Sequence, residues 1–279
     1  MLGISLPYLL KHPVAAATDV ASDPLEIWIK LEEKYAGWRE GPPPVCQHVS
    51  NQNWESLLHE RVGAAWPCQA TPEFWDLWRE VIRELENQGI RPGPASFRAW
   101  NDGDAGFTRA IWCLVRHLKP ARVIETGVAH GVTSRIVLDA LERNGQGHLW
   151  SIDLPPLERD WQKQVGLAVG GRHQARWTYI KGSSRRRLPG LLSQLGQIDL
   201  FIHDSLHSTR NVVFEMERAW SALRPGGALV VDDVDVTGGF EAFSRAFSPS
   251  QSLICDAEPI CPDLRRFNNK GLFGIMVKD

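Results

Sequence analysis

Four short runs and one lone acid in this sequence carry residue types able to do chemistry. Glu125-Thr126-Gly127-Val128-Ala129-His130-Gly131-Val132-Thr133 combines an acid with two glycines. Asp153 follows an apolar stretch. Gly182-Ser183-Ser184 offers a small polar pair. His203-Asp204-Ser205-Leu206-His207 and Asp232-Asp233-Val234-Asp235 gather acids and imidazoles. All five follow residues that read as β-strands. In an open α/β sheet, ligands bind beyond the carboxyl ends of the strands, where these residues would sit.

Gly127 and Gly131 let a backbone turn sharply and approach a ligand. The helix that follows offers free N–H groups to it. The run lacks the dinucleotide fingerprint G-x-G-x-x-G, because Glu125 holds the position of the first glycine. A carboxylate there would repel a pyrophosphate and suit a ligand carrying an ammonium and a sulfonium. Asp153 can accept hydrogen bonds from both hydroxyls of a ribose. Ser183 or Ser184 can meet an adenine edge. Any one of these also fits an ordinary strand-to-helix turn; the signal lies in all three occurring in order.

Asp204, Asp232 and Asp233 are expected at neighbouring strand ends. Three carboxylates so close repel unless protonated or neutralised by a cation. Oxygen ligands suit a hard ion such as Mg²⁺, Mn²⁺ or Ca²⁺ rather than Zn²⁺. Aspartate after an apolar strand also serves as a cap or turn residue, the role expected of Asp235. His207, three residues beyond Asp204, is placed to act as a general base, since histidine titrates near neutral pH. His203, on an apolar strand, reads as a core histidine. His130, in the glycine turn, could touch cofactor or substrate.

The elements that position these residues alternate. Strands are predicted over Arg122–Glu125, Gly147–Asp153, Trp177–Lys181, Ile198–His203 and Ala228–Val231, with two more over Ser252–Ala257 and Leu272–Val277. Helices are predicted over Ala105–Leu118, Thr133–Arg143 and Asn211–Leu223, the first capped from Asn101-Asp102-Gly103-Asp104 and the last stopped by Arg224-Pro225-Gly226-Gly227. The pattern specifies a doubly wound α/β fold with a mostly parallel sheet and helices on both faces.

Residues 1–100 differ in texture and form a Trp-rich helical extension to a domain spanning 101–279. Leu25–Arg39, with Trp28, Leu31 and Trp38, and Pro72–Asn87, with Phe74, Trp75, Trp78, Ile82 and Leu85, show helical spacing. Their tryptophans are expected to pack the helices onto the main domain. Gly41-Pro42-Pro43-Pro44 breaks the chain between them.

The stretch from about residue 105 to 279 resembles the class I S-adenosylmethionine-dependent methyltransferases. It is most similar to the metal-dependent O-methyltransferases, including those acting on sugars of macrolides and related natural products. The resemblance implies a Rossmann-like, seven-stranded sheet with an antiparallel last strand. It implies that Glu125, Gly127 and Gly131 border the methionine part of S-adenosyl-L-methionine, that Asp153 holds its ribose, and that Ser183 or Ser184 lies beside its adenine. Thr133 falls where the family often has a small hydroxyl residue. Asp204, Asp232 and Asp233 match the positions that hold Mg²⁺ in the family, and His207 a position where relatives carry Lys or His as base. The implied acceptor is a hydroxyl of a small molecule. Two other readings stay open: a metal-independent methyltransferase relying on Asp204 and His207, and a non-catalytic cofactor-binding or scaffold protein.

Composition bounds the rest. The chain has 279 residues, 43% hydrophobic and 23% charged, with a formal net charge of −2. Without a basic excess, nucleic acid is not the expected partner, and Arg185-Arg186-Arg187 reads as a solvated turn. The five cysteines, Cys46, Cys68, Cys113, Cys255 and Cys261, form no C-x-x-C pair and fit reduced thiols in a cytoplasm. No apolar run reaches the ~18 residues of a membrane span. Ile4 to Leu10, interrupted by Pro7, does not read as a signal peptide, although a weak interfacial contact stays open. The aromatic N-terminal region could form an interface in a homo-oligomer.

Overall fold

The structure is a computed structural model and describes residues 23–40, 48–91, 93, 96, 103–155, 159–171, 173–247, 249, 251–260 and 271–279. Ile4–Leu10, the 41–44 break, Cys46, Cys261, Asn101 and Asp102 lie outside the described residues.

Seven strands form one sheet: β1 (Arg122–Thr126), β2 (His148–Asp153), β3 (Trp177–Lys181), β4 (Ile198–His203), β5 (Leu223–Val231), β6 (Gln251–Asp256) and β7 (Leu272–Val277). Their order is β3-β2-β1-β4-β5-β7-β6. β1 to β5 run parallel, and β7 lies antiparallel to both β5 and β6. The order reverses between β1 and β4, so the gap beyond their carboxyl ends is the switch point where such sheets bind ligands. The expected sheet, including its antiparallel last strand, is found.

Helices α1 (Pro24–Glu40), α2 (Trp54–Arg61), α3 (Thr71–Asn87), α4 (Ala105–Leu118), α5 (Val132–Asn144), α6 (Arg159–Gln162), α7 (Ser184–Leu195), α8 (Thr209–Ala222) and α9 (Gly239–Phe247) surround the sheet. On α3, Phe74, Leu77, Trp78, Val81 and Leu85 are buried at helical spacing. They share one apolar cluster with Trp54 and Leu58 of α2, with Phe107 to Val115 of α4, and with one face of the sheet. Burying each such large side chain stabilises the fold by about 1.5–3 kcal/mol. Arg135 of α5 reinforces the packing, its guanidinium reaching Glu80 and Glu84 of α3.

α1 departs from expectation. Trp28 and Trp38 do not pack onto the domain: they are 65% and 78% exposed, in an outward stripe with Leu31 and Tyr35. The inward face is polar, with Glu26, Lys30 and Glu33 buried. Pattern alone shows that a helix is two-faced, but not which face turns inward. Polar groups waiting on the domain decide it here. Glu33 pairs with Arg185, Asp23 with Arg186, and Glu32 with Arg210, while Lys30 donates to the Pro155 carbonyl.

Those pairs also correct the reading of Arg185-Arg186-Arg187 as a solvated turn. The three arginines form the first turn of α7, and two of them hold α1 in place. Pro189 sits inside the same helix. β5 starts at Leu223, so the Arg224-Pro225-Gly226-Gly227 stretch lies within the strand rather than ahead of it.

Candidate active site

The sheet's hydrogen bonds continue one residue past the strands. Gly127 donates to Ile152, Asp204 to Thr126, and Asp232 to His203, each at 2.9 Å, and Gly182 donates to Asp153 at 2.8 Å. The loops carrying the candidate residues therefore leave the sheet side by side. Gly127 and Gly131 both have positive φ, 89° and 84°, a region open to glycine without steric cost. A Cβ on Gly131 would lie 2.8 Å from Gly166 Cα, so a second backbone segment closes over the turn.

At one end of this edge, Asp153 presents a carboxylate. The Val128 and Leu154 amides hydrogen-bond to it, yet burial raises its pKa to about 6. Its Oδ2 is buried with no hydrogen-bond partner among the described residues. An unpartnered buried carboxylate oxygen is costly, and donor hydroxyls would satisfy it. Ser183 and Ser184 separate in role. Ser183 gives its amide to Glu26 of α1 at 3.0 Å, while its buried Oγ has no partner among the described residues. Ser184 Oγ turns to Asn211 at 3.4 Å. Thr133 is half-buried in the first turn of α5. Glu125 is fully buried beneath the glycine turn, one oxygen accepting from Ser134 at 2.6 Å and Ser151 at 2.7 Å. The orphaned Asp153 oxygen and the two-glycine cradle fit a nucleoside-bearing ligand.

At the other end, Asp204, His207 and Asp232 bring one ligand atom each within 4.8 Å of one another. Asp233, with φ of +51°, places Oδ2 3.5 Å from His207 Nδ1. Burial holds Asp232 well above the ordinary carboxylate range, and Asp233, Asp204 and Asp104 add to the effect. Asp104 is thus a further acid facing this site. It precedes α4, where its side chain makes no capping bond. Mutual repulsion of this kind is what a dication relieves, so the donor set fits a hard metal ion. His207 does not titrate near neutral pH: burial and the neighbouring His203 push it down to about 3, leaving a neutral imidazole. Asp235 takes the expected turn role, accepting from the Leu272 amide at 3.2 Å.

A buried network lies below the acids. Burial alone would raise the pKa of Glu215 on α8, but His203 and neighbouring hydroxyls hold it down at about 2. Its carboxylate meets His203 Nδ1 at 2.7 Å and accepts from Thr126 at 2.5 Å, Ser205 at 2.8 Å and Asn211 at 2.9 Å. The network fixes the loop from His203 to His207. His203 is therefore the core histidine expected. His130 meets Ser96 and Gln164 at 3.3 and 3.1 Å. Glu215 escaped sequence reasoning because nothing marks one helix acid as inward-facing before the helix is docked.

Residues 124–234 match the family model described as a methyltransferase domain. The matched span runs from β1 to the acids after β5, and so contains the whole strand-end edge. The match covers under half of the chain, and the architecture is the Rossmann-like methyltransferase fold. Among solved structures, the O-methyltransferase TomG from Streptomyces achromogenes, involved in tomaymycin synthesis and determined in complex with SAM, is 16% identical with a TM-score of 0.54. That match covers 73% of this chain and 90% of TomG. A protein provisionally described as an O-methyltransferase from Klebsiella pneumoniae is 16% identical with a TM-score of 0.50, covering 82% of this chain and 99% of its own. At such identities the likeness establishes the fold. No curated protein matches the sequence. Among the described residues, no helix is long and apolar enough to cross a membrane.

Proposed function

We propose that this chain transfers the methyl group of S-adenosylmethionine to a hydroxyl of a small molecule of the sugar or natural-product type. In this reading residues 101–279 form the catalytic unit and 1–100 an extension to it. Asp204, Asp232 and Asp233 would hold Mg²⁺. The observation that carries the proposal is the meeting of Asp204, Asp232 and His207 at one end of the sheet edge whose other end carries the unpartnered oxygen of Asp153. SAM in the TomG complex is consistent with it.

The methyl donor supplies an electrophilic sulfonium methyl, and a bound dication supplies positive charge that acidifies a nearby hydroxyl. The chain's own residues do the rest. Asp153 accepts from the ribose hydroxyls, and Ser183 flanks the adenine. Gly127, Gly131 and Thr133 form the cradle around the methionine part, with Glu125 fixing the turn from below. His207, 3.5 Å from Asp233, is the imidazole placed to take the acceptor's proton, although a ring held at about 3 is a weak base, which favours the second role below. Alignment of donor and acceptor contributes much of the remaining rate enhancement.

A second reading of His207 is also favoured by its ligand atom lying within 4.8 Å of those of Asp204 and Asp232. There His207 binds the metal directly and Asp233 orients it. His207→Ala separates the two. A base variant keeps Mg²⁺ affinity and loses turnover, whereas a ligand variant loses both. We place the protein in the cytoplasm, because the count and spacing of its five cysteines fit reduced thiols. The proposal as a whole is tested by calorimetry with S-adenosylhomocysteine, with and without Mg²⁺, followed by methyl transfer to hydroxylated acceptors. Activity that survives strong chelation removes the metal from the reading. Failure to bind S-adenosylhomocysteine leaves a scaffold.

A further inference from the structure

Away from this edge, three potential ligands converge between α2, the segment after it and α4, and a fourth residue, His117, meets one of them. His59, Cys68 and Cys113 bring one ligand atom each within 4.8 Å of one another, and all three residues are buried. Cys68 Sγ lies 3.8 Å from Cys113 Sγ and 3.3 Å from His117 Nε2. The His59 and His117 ring centroids are 5.1 Å apart. Cys113 and His117 are four residues apart on α4, hence on one helical face.

We propose that His59, Cys68, Cys113 and His117 bind a structural Zn²⁺ ion that staples the N-terminal extension to the methyltransferase domain. Two thiolates and two imidazoles are a characteristic zinc donor set. Zinc–sulfur bonds of about 2.3 Å put two thiolates of a tetrahedral site about 3.8 Å apart. That equals the Cys68–Cys113 separation. With zinc–nitrogen bonds of about 2.0–2.1 Å, the sulfur-to-nitrogen edge is about 3.5 Å, close to the 3.3 Å between Cys68 and His117.

His59 gives an independent sign. Its Nδ1 lies 2.6 Å from the Glu55 carbonyl. A carbonyl only accepts, so Nδ1 carries the proton and Nε2 the lone pair. That Nε2 is buried with no hydrogen-bond partner among the described residues, on a side chain only 1% exposed. A metal-ligating histidine is held in this way, one nitrogen fixed by a backbone carbonyl and the other left for the ion. Two thiolates balance the charge of Zn²⁺, so the buried site is neutral when filled.

The test is metal analysis of the full chain purified in reductant without chelator. We expect one zinc per chain by plasma mass spectrometry. We also expect protection of two thiols from a thiol reagent by Zn²⁺. After stripping, Co²⁺ should give a thiolate-to-cobalt charge-transfer band and the strong visible bands of a tetrahedral site. Cys68→Ser and Cys113→Ser should lose stoichiometric zinc, and Asp232→Asn should keep it. If a serine variant fails to fold, the cobalt titration of the unaltered chain decides. No charge-transfer band, a Cys68–Cys113 disulfide in the reduced preparation, or zinc lost with Asp232→Asn would overturn the proposal.

Discussion

The carbonyl oxygen of Asp204 lies 1.8 Å from where a Cβ on Gly127 would be. The turn after β1 and the turn after β4 are thus in backbone contact, and one hydrogen atom is all the space between them allows. The two halves of the site, one facing a nucleoside and one facing a cation, are coupled through this contact.

Gly127→Ala should therefore damage both halves together. The positive φ and the collision should lower stability by more than about 1 kcal/mol. Affinities for S-adenosylhomocysteine and for Mg²⁺ should fall in parallel. Calorimetry and thermal denaturation of the variant check this. Loss confined to one ligand would show that the turns move independently.

Asp232→Asn should separate what Gly127→Ala joins. It removes the acid that burial, and then the neighbouring acids Asp233, Asp204 and Asp104, hold well above the ordinary carboxylate range. Metal affinity and turnover should drop by more than the roughly 10–100-fold typical of residues that merely orient a ligand. Cofactor affinity should change little. Titrating Mg²⁺ against activity and S-adenosylhomocysteine against heat measures both.

Asp153 makes the cofactor affinity depend on pH. Its carboxyl in the free protein titrates at about 6, raised by burial. Hydroxyl donors stabilise the ionised form, so binding pulls this pKa down. Affinity should be full above about pH 6 and weaken as pH falls through it. Asp153→Asn should weaken binding by about 1.5–3 kcal/mol, the scale of a hydrogen bond to a charged group, and flatten this profile. For folding the sign is opposite. The buried acid favours the protonated folded state, so its stability cost is absent below its unfolded pKa and grows as pH rises through 6. Calorimetric titrations from pH 5 to 8 would read the binding effect.

Arg185→Ala should free α1. It leaves the buried Glu33 carboxylate without its guanidinium partner, at a cost of about 3 kcal/mol or more, which raises the undocked fraction roughly a hundredfold. In the unaltered chain, added salt should weaken the exposed Arg210–Glu32 and Arg186–Asp23 pairs. Limited proteolysis of α1 against KCl concentration checks both, with the melting point of the sheet barely moved.

The sequence showed most of what lies at strand ends, and little of what lies between elements. Apolar runs such as Ala228–Val231 locate strands, and an open sheet fixes where a residue following a strand must go. Asp153, Asp204 and Asp232 were legible for that reason. Glu215, Asp104 and the polar face of α1 were not, because their roles arise only once helices dock. α7 was hidden by three arginines and Pro189, which locally resemble a turn. The His59, Cys68, Cys113 and His117 cluster was hidden by distance along the chain. Its one local trace is the four-residue spacing of Cys113 and His117.

The place of β7 has a consequence for synthesis. β7 lies between β5 and β6, yet leaves the ribosome after both. Until Val277 emerges, β6 has no neighbour to pair with, and the far side of β5 is an open edge of Ala228, Leu229, Val230 and Val231. The nascent chain therefore carries an adhesive apolar border until its final strand closes it. Arrest of translation before Leu272 should yield a chaperone-bound intermediate rather than a smaller native domain.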